Sequence, residues 1–175
     1  AGDRDVRRIV VAMMEAQTAE TKESEGTLQE LTKQIGPALT SHDYESYFVA
    51  NREQIFASNR LETIGLKIPP AFTTMFKKVF DRQSTVTPPF AGLLAMKDEQ
   101  GKNRTGVPVM FVMSPILDEN LQVIAVLGLK IRPEREFTRI LQLGRLGDSG
   151  ETYAFNAEGL MLSNSRFDHD LILLG

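Results

Sequence analysis

The two histidines of the chain, each next to an aspartate, are the residues most similar to a metal-binding or catalytic cluster. His42 precedes Asp43, and His169 lies between Asp168 and Asp170. Both stretches are polar, and neither offers a third ligand at helical spacing, whereas protein zinc sites use three or four ligands. The pattern therefore favours solvated loops over a metal site at both places.

Other catalytic patterns are weaker still. The chain has no cysteine, which excludes thiol catalysis, zinc–cysteine sites and disulfides. A Ser-His-Asp triad would have to use one of the same two histidines, and no nucleophile-elbow signature is present. The glycines in LGRLGDSG (143–150) lack the Gly-Lys-Ser/Thr ending of a phosphate loop and favour a hinge. We expect no enzymatic activity, no metal and no cofactor.

Binding chemistry is better represented than catalysis. Lys130 lies in an otherwise apolar segment, where a lysine must extend its ammonium group to water or meet an anion. Arg104, in a polar stretch expected to form a loop, is a second cation. The candidate ligand contacts are these two cations and a set of soft apolar side chains, namely Phe90, Met96, Phe111 and Met113.

Two alternatives remain open for the apolar candidates. Methionine and phenylalanine in strands are commonly ordinary core residues. In addition, side chains alternate between the faces of a strand, so either Met110 and Val112 or Phe111 and Met113 face a pocket.

A long N-terminal helix is predicted over residues 3–35. Its apolar residues recur at three-and-four spacing, and the helix would be about 50 Å long at 1.5 Å per residue. Gly36-Pro37 is predicted to end it. The narrow apolar stripe suits either the helix's own domain or a partner helix, and we favour a stalk helix that pairs in a homodimer. The stripe consists of Val6, Ile9, Val10, Met13, Ala16, Leu28, Leu31 and Ile35.

The rest of the chain alternates between strand and helix patterns. Residues 44–58 predict a hairpin with a polar turn at 51–53. Pro69-Pro70 opens a helix, strands follow at 92–96, 107–117 and 121–131, and Pro133 begins a final helix. This order predicts an α+β fold, a five-stranded antiparallel sheet with helices on it.

One hairpin pattern occurs twice. Residues 44–65 resemble residues 151–175 at a shift of 106, which matches Tyr47 with Tyr153 and Arg60 with Arg166. The first copy is followed by a full set of strands, whereas the second stops after its hairpin. We therefore expect ligand binding in the first copy, and we interpret the chain as a fragment of a longer protein.

Composition narrows the partners. Of the 175 residues, 42% are hydrophobic and 25% charged, which is ordinary for a globular domain. The net charge of −3 without a basic stripe argues against nucleic acid. No apolar run approaches the roughly 18 residues of a membrane span. Any membrane attachment would come from flanking spans outside this fragment.

These pieces together resemble the double Cache sensor family. The resemblance is carried by the strand pair SPILDENLQVIAVLGLKI and the joint GDSGETYAFNAEGLMLS. It implies an extracytoplasmic ligand-sensing region of a membrane receptor of chemoreceptor, sensor-kinase or cyclase type. The implied organisation is a stalk helix (3–35), a membrane-distal PAS-like module (36–131), a connecting helix and joint (132–150) and the first strands of a proximal module (151–175).

The sequence departs from the amino-acid-binding branch of that family. Those members carry an Arg-x-Trp-Tyr cluster and an Asp at the end of the last strand. This chain has no Trp, and Lys130 occupies the place of the Asp. An α-amino acid is therefore a poor candidate ligand, and a cation there would favour an anion such as a carboxylate. The alternatives are a structural or dimerisation spacer without ligand and, less favoured, a cytosolic PAS-like domain.

Overall fold

The computed structural model describes residues 2–16, 23–92, 96–97, 103–143, 147, 150–159, 161–163, 165 and 167. These residues form two compact units, each described by itself. Unit 1 comprises Ala1–Thr87 and Phe111–Ile131, and unit 2 comprises Pro88–Met110 and Arg132–Gly175. The helices are α1 (Gly2–Ala16), α2 (Glu23–Ser41), α3 (Thr73–Phe80) and α4 (Pro133–Gln142), with 3-10 turns at Leu61–Thr63 and Pro70–Phe72.

The described strands are β1 (Ser46–Ala50), β2 (Ile55–Ser58), β3 (Thr85–Val86), β4 (Phe90–Ala91), β5 (Met96–Lys97), β6 (Asn103–Arg104), β7 (Pro108–Leu117) and β8 (Val123–Ile131). Five of them form the sheet of unit 1 in the order β2-β1-β8-β7-β3. Strand β1 pairs antiparallel with both β2 and β8, and β3 pairs antiparallel with β7. This sheet confirms the predicted fold class, α+β and PAS-like.

The two faces of this sheet carry separate apolar clusters, because neighbouring side chains of a strand point to opposite sides. On the helix face, Tyr47 and Val49 of β1 pack with α1 and α2. On the opposite face, which we call the ligand face, Phe48 and Ala50 pack with α3. The ligand-face cluster contains Phe48, Ala50, Phe76, Val79, Phe111, Met113 and Val126.

The N-terminal segment is a pair of helices, so the prediction of one long helix over 3–35 is wrong. Arg8 Nη2 of α1 lies 2.9 Å from Glu30 Oε1 of α2. A single straight helix would separate these residues by about 33 Å, at 1.5 Å per residue. Residues 17–22, between the helices, lie outside the described residues. The apolar stripe of both helices covers their own sheet, with Ile9, Val10, Met13, Leu31 and Ile35 all buried.

The predicted stop at Gly36-Pro37 is also wrong, since α2 continues through Pro37 to Ser41. The extra turn brings Leu39 into the helix-face cluster, while Pro37 stays exposed. The burial of Leu39 opposes the cost of a proline inside the helix. The helix then ends where Asp43 takes a left-handed conformation, at φ +55°, and the amide of Tyr44 donates to the carbonyl of Leu39.

Most of the remaining predictions for unit 1 hold. The hairpin β1–β2, the helix after Pro69-Pro70 and the β7–β8 hairpin lie where the sequence predicts them. The short edge strand β3 was not predicted. Of the strand predicted at 92–96, Met96 begins β5 and Gly92 follows the end of β4 at Ala91; residues 93–95 lie outside the described residues.

The second hairpin matches the first in its turn, but at a shift of 105 residues instead of the predicted 106. Asn51 Oδ1 accepts a hydrogen bond from the Glu53 amide at 2.8 Å, and Asn156 Oδ1 accepts one from the Glu158 amide at 3.1 Å. These side chains close equivalent turns by mimicking a backbone acceptor. Beyond the turn, Phe155 forms a single antiparallel bridge with Met161.

Candidate functional site

The site is built on β8, whose side chains alternate between the two faces of the sheet. Leu127 and Leu129 belong to the helix-face cluster, and Val126 belongs to the ligand-face cluster. By the same alternation Lys130 extends from the ligand face. It is only 9% exposed, as the prediction of an unusual lysine required.

The ammonium group of Lys130 has a carboxylate partner. Lys130 Nζ lies 3.3 Å from Glu45 Oε2, and the Glu45 amide donates to the carbonyl of Lys130. Glu45 Oε2 is buried, yet it accepts no well-formed hydrogen bond from any described residue. The pair is therefore held by charge rather than by a hydrogen bond.

A second ion pair joins Arg60 and Glu62. Arg60 Nε donates to Glu62 Oε1 at 2.7 Å. This hydrogen bond lowers the pKa of Glu62, and the charge of Lys130 contributes in the same direction.

Phe48 occupies the centre of the ligand face. Its ring lies against the backbone of Gly128, where an added Cβ would sit 2.2 Å from the ring carbons. The ring is parallel to that of Phe76, with centroids 6.5 Å apart, and edge-on to that of Phe111 at 5.2 Å. Both arrangements are among the preferred geometries of aromatic pairs. The rings of Phe76 and Phe111 and the backbone of Gly128 form an aromatic enclosure, and the ring of Phe48 fills it.

The structure shows which of the two alternating sets of β7 side chains faces the ligand face. Phe111 and Met113 lie on the ligand face with Phe48, so they are the inward pair. Strand β3 holds this register: Thr85 pairs with Met113, and the hydroxyl of Thr87 accepts a hydrogen bond from the Phe111 amide. Three predicted site residues, Lys130, Phe111 and Met113, thus share one face of one sheet.

The other three candidates belong to unit 2. Phe90, in β4, is half-buried and pairs with Val109. Met96 and Arg104 pair with each other across the β5–β6 hairpin, so Arg104 lies in a short strand and not in the loop expected for it. Their part in ligand binding stays a prediction.

The structure describes one of the two histidine clusters. His42 is exposed, and its ring centroid lies 5.9 Å from that of Tyr44. Within the described ranges, no three His, Cys, Asp or Glu side chains are grouped as metal ligands. The cluster at 168–170 lies outside those ranges.

Sequence reasoning missed Glu45, Phe48 and Gly128. Gly128 could have been found, because an isolated glycine inside an apolar strand often marks the close approach of another group. Phe48 carries no such signal, since strand phenylalanines are ordinary. Glu45 precedes its strand and reads as a loop residue.

A partly buried hydrogen bond joins helix α2 to strand β1. The hydroxyl oxygen of Tyr47 lies 2.6 Å from Thr32 Oγ1 of α2. Burial raises the pKa of Tyr47, and the hydrogen bond to Thr32 opposes part of that increase. Tyr47 is next to Phe48 in β1, so adjacent residues of one strand contact the helices and the aromatic enclosure.

Comparison with known proteins finds similar structures but no matching family. No protein-family model matches the chain. No curated protein matches it either. Within the described ranges, no helix has the length and hydropathy needed to cross a bilayer.

Solved structures of sensory domains resemble the chain at low identity. The ligand-binding domain of the Campylobacter jejuni chemoreceptor Tlp3, in complex with 4-methylisoleucine, is 13% identical with a TM-score of 0.48, over 96% of this chain and 67% of that one. The ligand-binding domain of the Pseudomonas aeruginosa PAO1 amino acid chemoreceptor PctC, in complex with GABA, is 13% identical with a TM-score of 0.45. That match covers 97% of this chain and 73% of that one.

The periplasmic domain of Vibrio cholerae LuxQ is 12% identical with a TM-score of 0.40, over 99% of this chain and 84% of that one. All three scores lie below 0.5. The fold assignment therefore rests on the strand order and helix packing described above.

Proposed function

We propose that the chain is an extracytoplasmic ligand-sensing region of a transmembrane signalling receptor, of the double Cache type, and that unit 1 binds a small molecule on its ligand face. The observation that carries this proposal is the position of Lys130, a largely buried cation beside an aromatic enclosure. Burying a charge is costly unless something compensates for it. In the structure Glu45 compensates for this cost, and a carboxylate ligand would do so in its place.

The preferred ligand is an anion. Lys130 already holds one carboxylate, that of Glu45, so a ligand carboxylate that took its place would meet the same positive charge. Phe111 and Met113 would contact its apolar part. Phe90, Met96 and Arg104 belong to unit 2, and their part in ligand binding is a separate proposal.

Signalling would follow from a shift between two arrangements of unit 1. A ligand favours the state that it binds more tightly, so it must contact an element whose position differs between the states. We infer that this element is β1, because it carries Phe48 on the ligand face and Tyr47 against α2. A receptor of this type would pass the shift through its membrane spans to its output domain.

A thermal-shift screen tests the proposal. Small carboxylates and small amines are compared on the wild-type chain, on Lys130→Met and on Lys77→Met, an exposed lysine of α3 that serves as the matched control. We expect a carboxylate to raise the melting temperature of the wild type and of Lys77→Met, but not of Lys130→Met. A carboxylate whose effect survives Lys130→Met unchanged would remove Lys130 from the site.

The second candidate function is a spacer module without a ligand, and the observation in its favour is that Phe48 fills the aromatic enclosure. A homodimer through α1 and α2 remains a proposal under either function. Since the predicted stripe is buried on its own sheet, such a dimer would have to use other helix faces. A failure of every carboxylate and amine in the screen, together with a concentration-dependent dimer in sedimentation, would favour the spacer.

A further inference from the structure

On the ligand face, a carboxylate and an aromatic ring of the chain itself lie where the two ends of one small molecule could lie. Glu45 places a carboxylate on Lys130, and Phe48, three residues later, places an aromatic ring over Gly128. We propose that the ligand of this face is an aromatic carboxylate, which binds by displacing the Phe48 ring and the Glu45 carboxylate together. This inference rests on the proposed function and deepens it by naming the ligand class.

The ring position is selective for a flat group. Gly128 has no Cβ, and one placed there would lie 2.2 Å from Phe48 Cε1 and Cζ. The Phe48 ring therefore lies directly against the β8 backbone, at a place where a side chain on residue 128 would exclude it. Phe76 presents a parallel ring and Phe111 an edge. An aromatic ring that replaces Phe48 keeps both contacts, whereas a branched aliphatic group fits neither.

The charge position favours exchange of one carboxylate for another. Glu45 Oε2 is buried without a well-formed hydrogen bond, so the pair with Lys130 is an imperfect use of that oxygen. When a ligand carboxylate takes its place, the Glu45 side chain, already about a quarter exposed, turns to water and regains hydration. The buried cation keeps a partner throughout, which avoids an uncompensated charge.

The two positions have a definite spacing. Gly128 and Lys130 are two residues apart on one strand and face the same side, so their Cα atoms are about 6.6 Å apart at 3.3 Å per residue. A ring over Gly128 therefore needs a short flexible link to bring its carboxylate to the ammonium group. We choose 3-phenylpropanoate as the probe because two methylenes provide that link.

Calorimetric titration of the whole chain with a matched probe set tests the inference. The probes are 3-phenylpropanoate, the neutral 3-phenylpropanamide and the ring-free hexanoate, and a primary amine, 3-phenylpropylamine, completes the set. We expect 3-phenylpropanoate to bind at least about tenfold more tightly than each of the others, a difference of about 1.4 kcal/mol.

Two variants separate the charge from the fold. Glu45→Gln removes the competing carboxylate and should tighten the binding of 3-phenylpropanoate, while Lys130→Met should abolish it. If Lys130→Met fails to fold, the double variant Glu45→Gln/Lys130→Met leaves no unpaired charge and should give the same loss. Lys77→Met should bind as the wild type does.

The outcomes distinguish this inference from the proposed function. Equal binding of hexanoate, or weaker binding of 3-phenylpropanoate to Glu45→Gln, overturns the displacement model. Preference for the amine overturns the ligand class but leaves a ligand-sensing function in place. Absence of binding by these four probes also overturns the ligand class. The proposed function itself fails only if the broader screen of carboxylates and amines also finds no ligand.

Discussion

The hydroxyl oxygen of Tyr47 lies 2.6 Å from that of Thr32, which in turn donates to the carbonyl of Leu28 at 2.9 Å. A strand of the sheet is thus tied to one residue of α2. The next residue, Phe48, lies in the aromatic enclosure of the opposite face. The chain therefore has a short physical path from the ligand face to the helices.

Removal of the Tyr47 hydroxyl should weaken the fold measurably. We expect Tyr47→Phe to lower the free energy of unfolding by about 1 kcal/mol, the usual contribution of one such hydrogen bond. Urea unfolding would measure it, with Tyr153→Phe as the matched control, since the Tyr153 hydroxyl donates to Glu151 from an exposed position. A loss no larger than that of the control would contradict the role assigned to this bond.

The same residue predicts the pH dependence of stability. Burial raises the pKa of Tyr47 above 10, its ordinary value. Below pH 10 the phenol is protonated in both states, but above it the unfolded chain loses its proton first. Stability should therefore fall as the pH rises from 10 towards the folded-state pKa. Urea titrations on both sides of pH 10 should show a steeper fall for the wild type than for Tyr47→Phe; parallel curves would argue against the burial of this group.

Two glycines should respond to alanine in opposite directions. Gly128→Ala places a Cβ against the Phe48 ring, and we expect a loss of about 1–3 kcal/mol, typical of overpacking. Gly26→Ala, on an exposed turn of α2 with no atom within 4 Å, should stabilise the chain by about 0.5–1 kcal/mol. Thermal unfolding of both variants measures the difference. A tolerated Gly128→Ala would show that Phe48 does not lie over this residue.

The helix pair can be tested by crosslinking, since the chain has no cysteine of its own. The double variant Arg8→Cys/Glu30→Cys should be joined within one chain by a short bis-maleimide, because the two side chains meet in the structure. Arg8→Cys/Ser41→Cys, with one thiol moved about 16 Å further along α2 by helix rise, serves as the control. Equal reaction of the two variants, or products only of dimer mass, would favour a single long helix.

How much of the fold the sequence could predict depended on the kind of signal. The β1–β2 and β7–β8 hairpins and helix α3 carry strong periodicity and turn residues, and they were predicted correctly. The break between α1 and α2 was missed because a polar stretch fits a solvated helix and a loop equally well. Pro37 misled the prediction because the burial of Leu39, a tertiary contact, decided where α2 ends.

The site was predictable only in its most unusual member. A lysine within an apolar strand is a local anomaly, so Lys130 could be identified from the sequence alone. The face on which Phe111 and Met113 lie depends on how β7 pairs with other strands. The contact of Glu45 with Lys130 depends on where the chain enters β1. Long-range register of this kind is not encoded in local spacing.

The most direct test of ligand binding on this face is the backbone amide spectrum of the chain during titration with 3-phenylpropanoate. The binding account predicts saturable shift changes centred on Gly128, Lys130 and the stretch 45–50, followed by a smaller change at Thr32 through Tyr47. Lys130→Met should abolish all of them. Saturable changes confined to residues elsewhere in the chain, or none at all, would contradict the account.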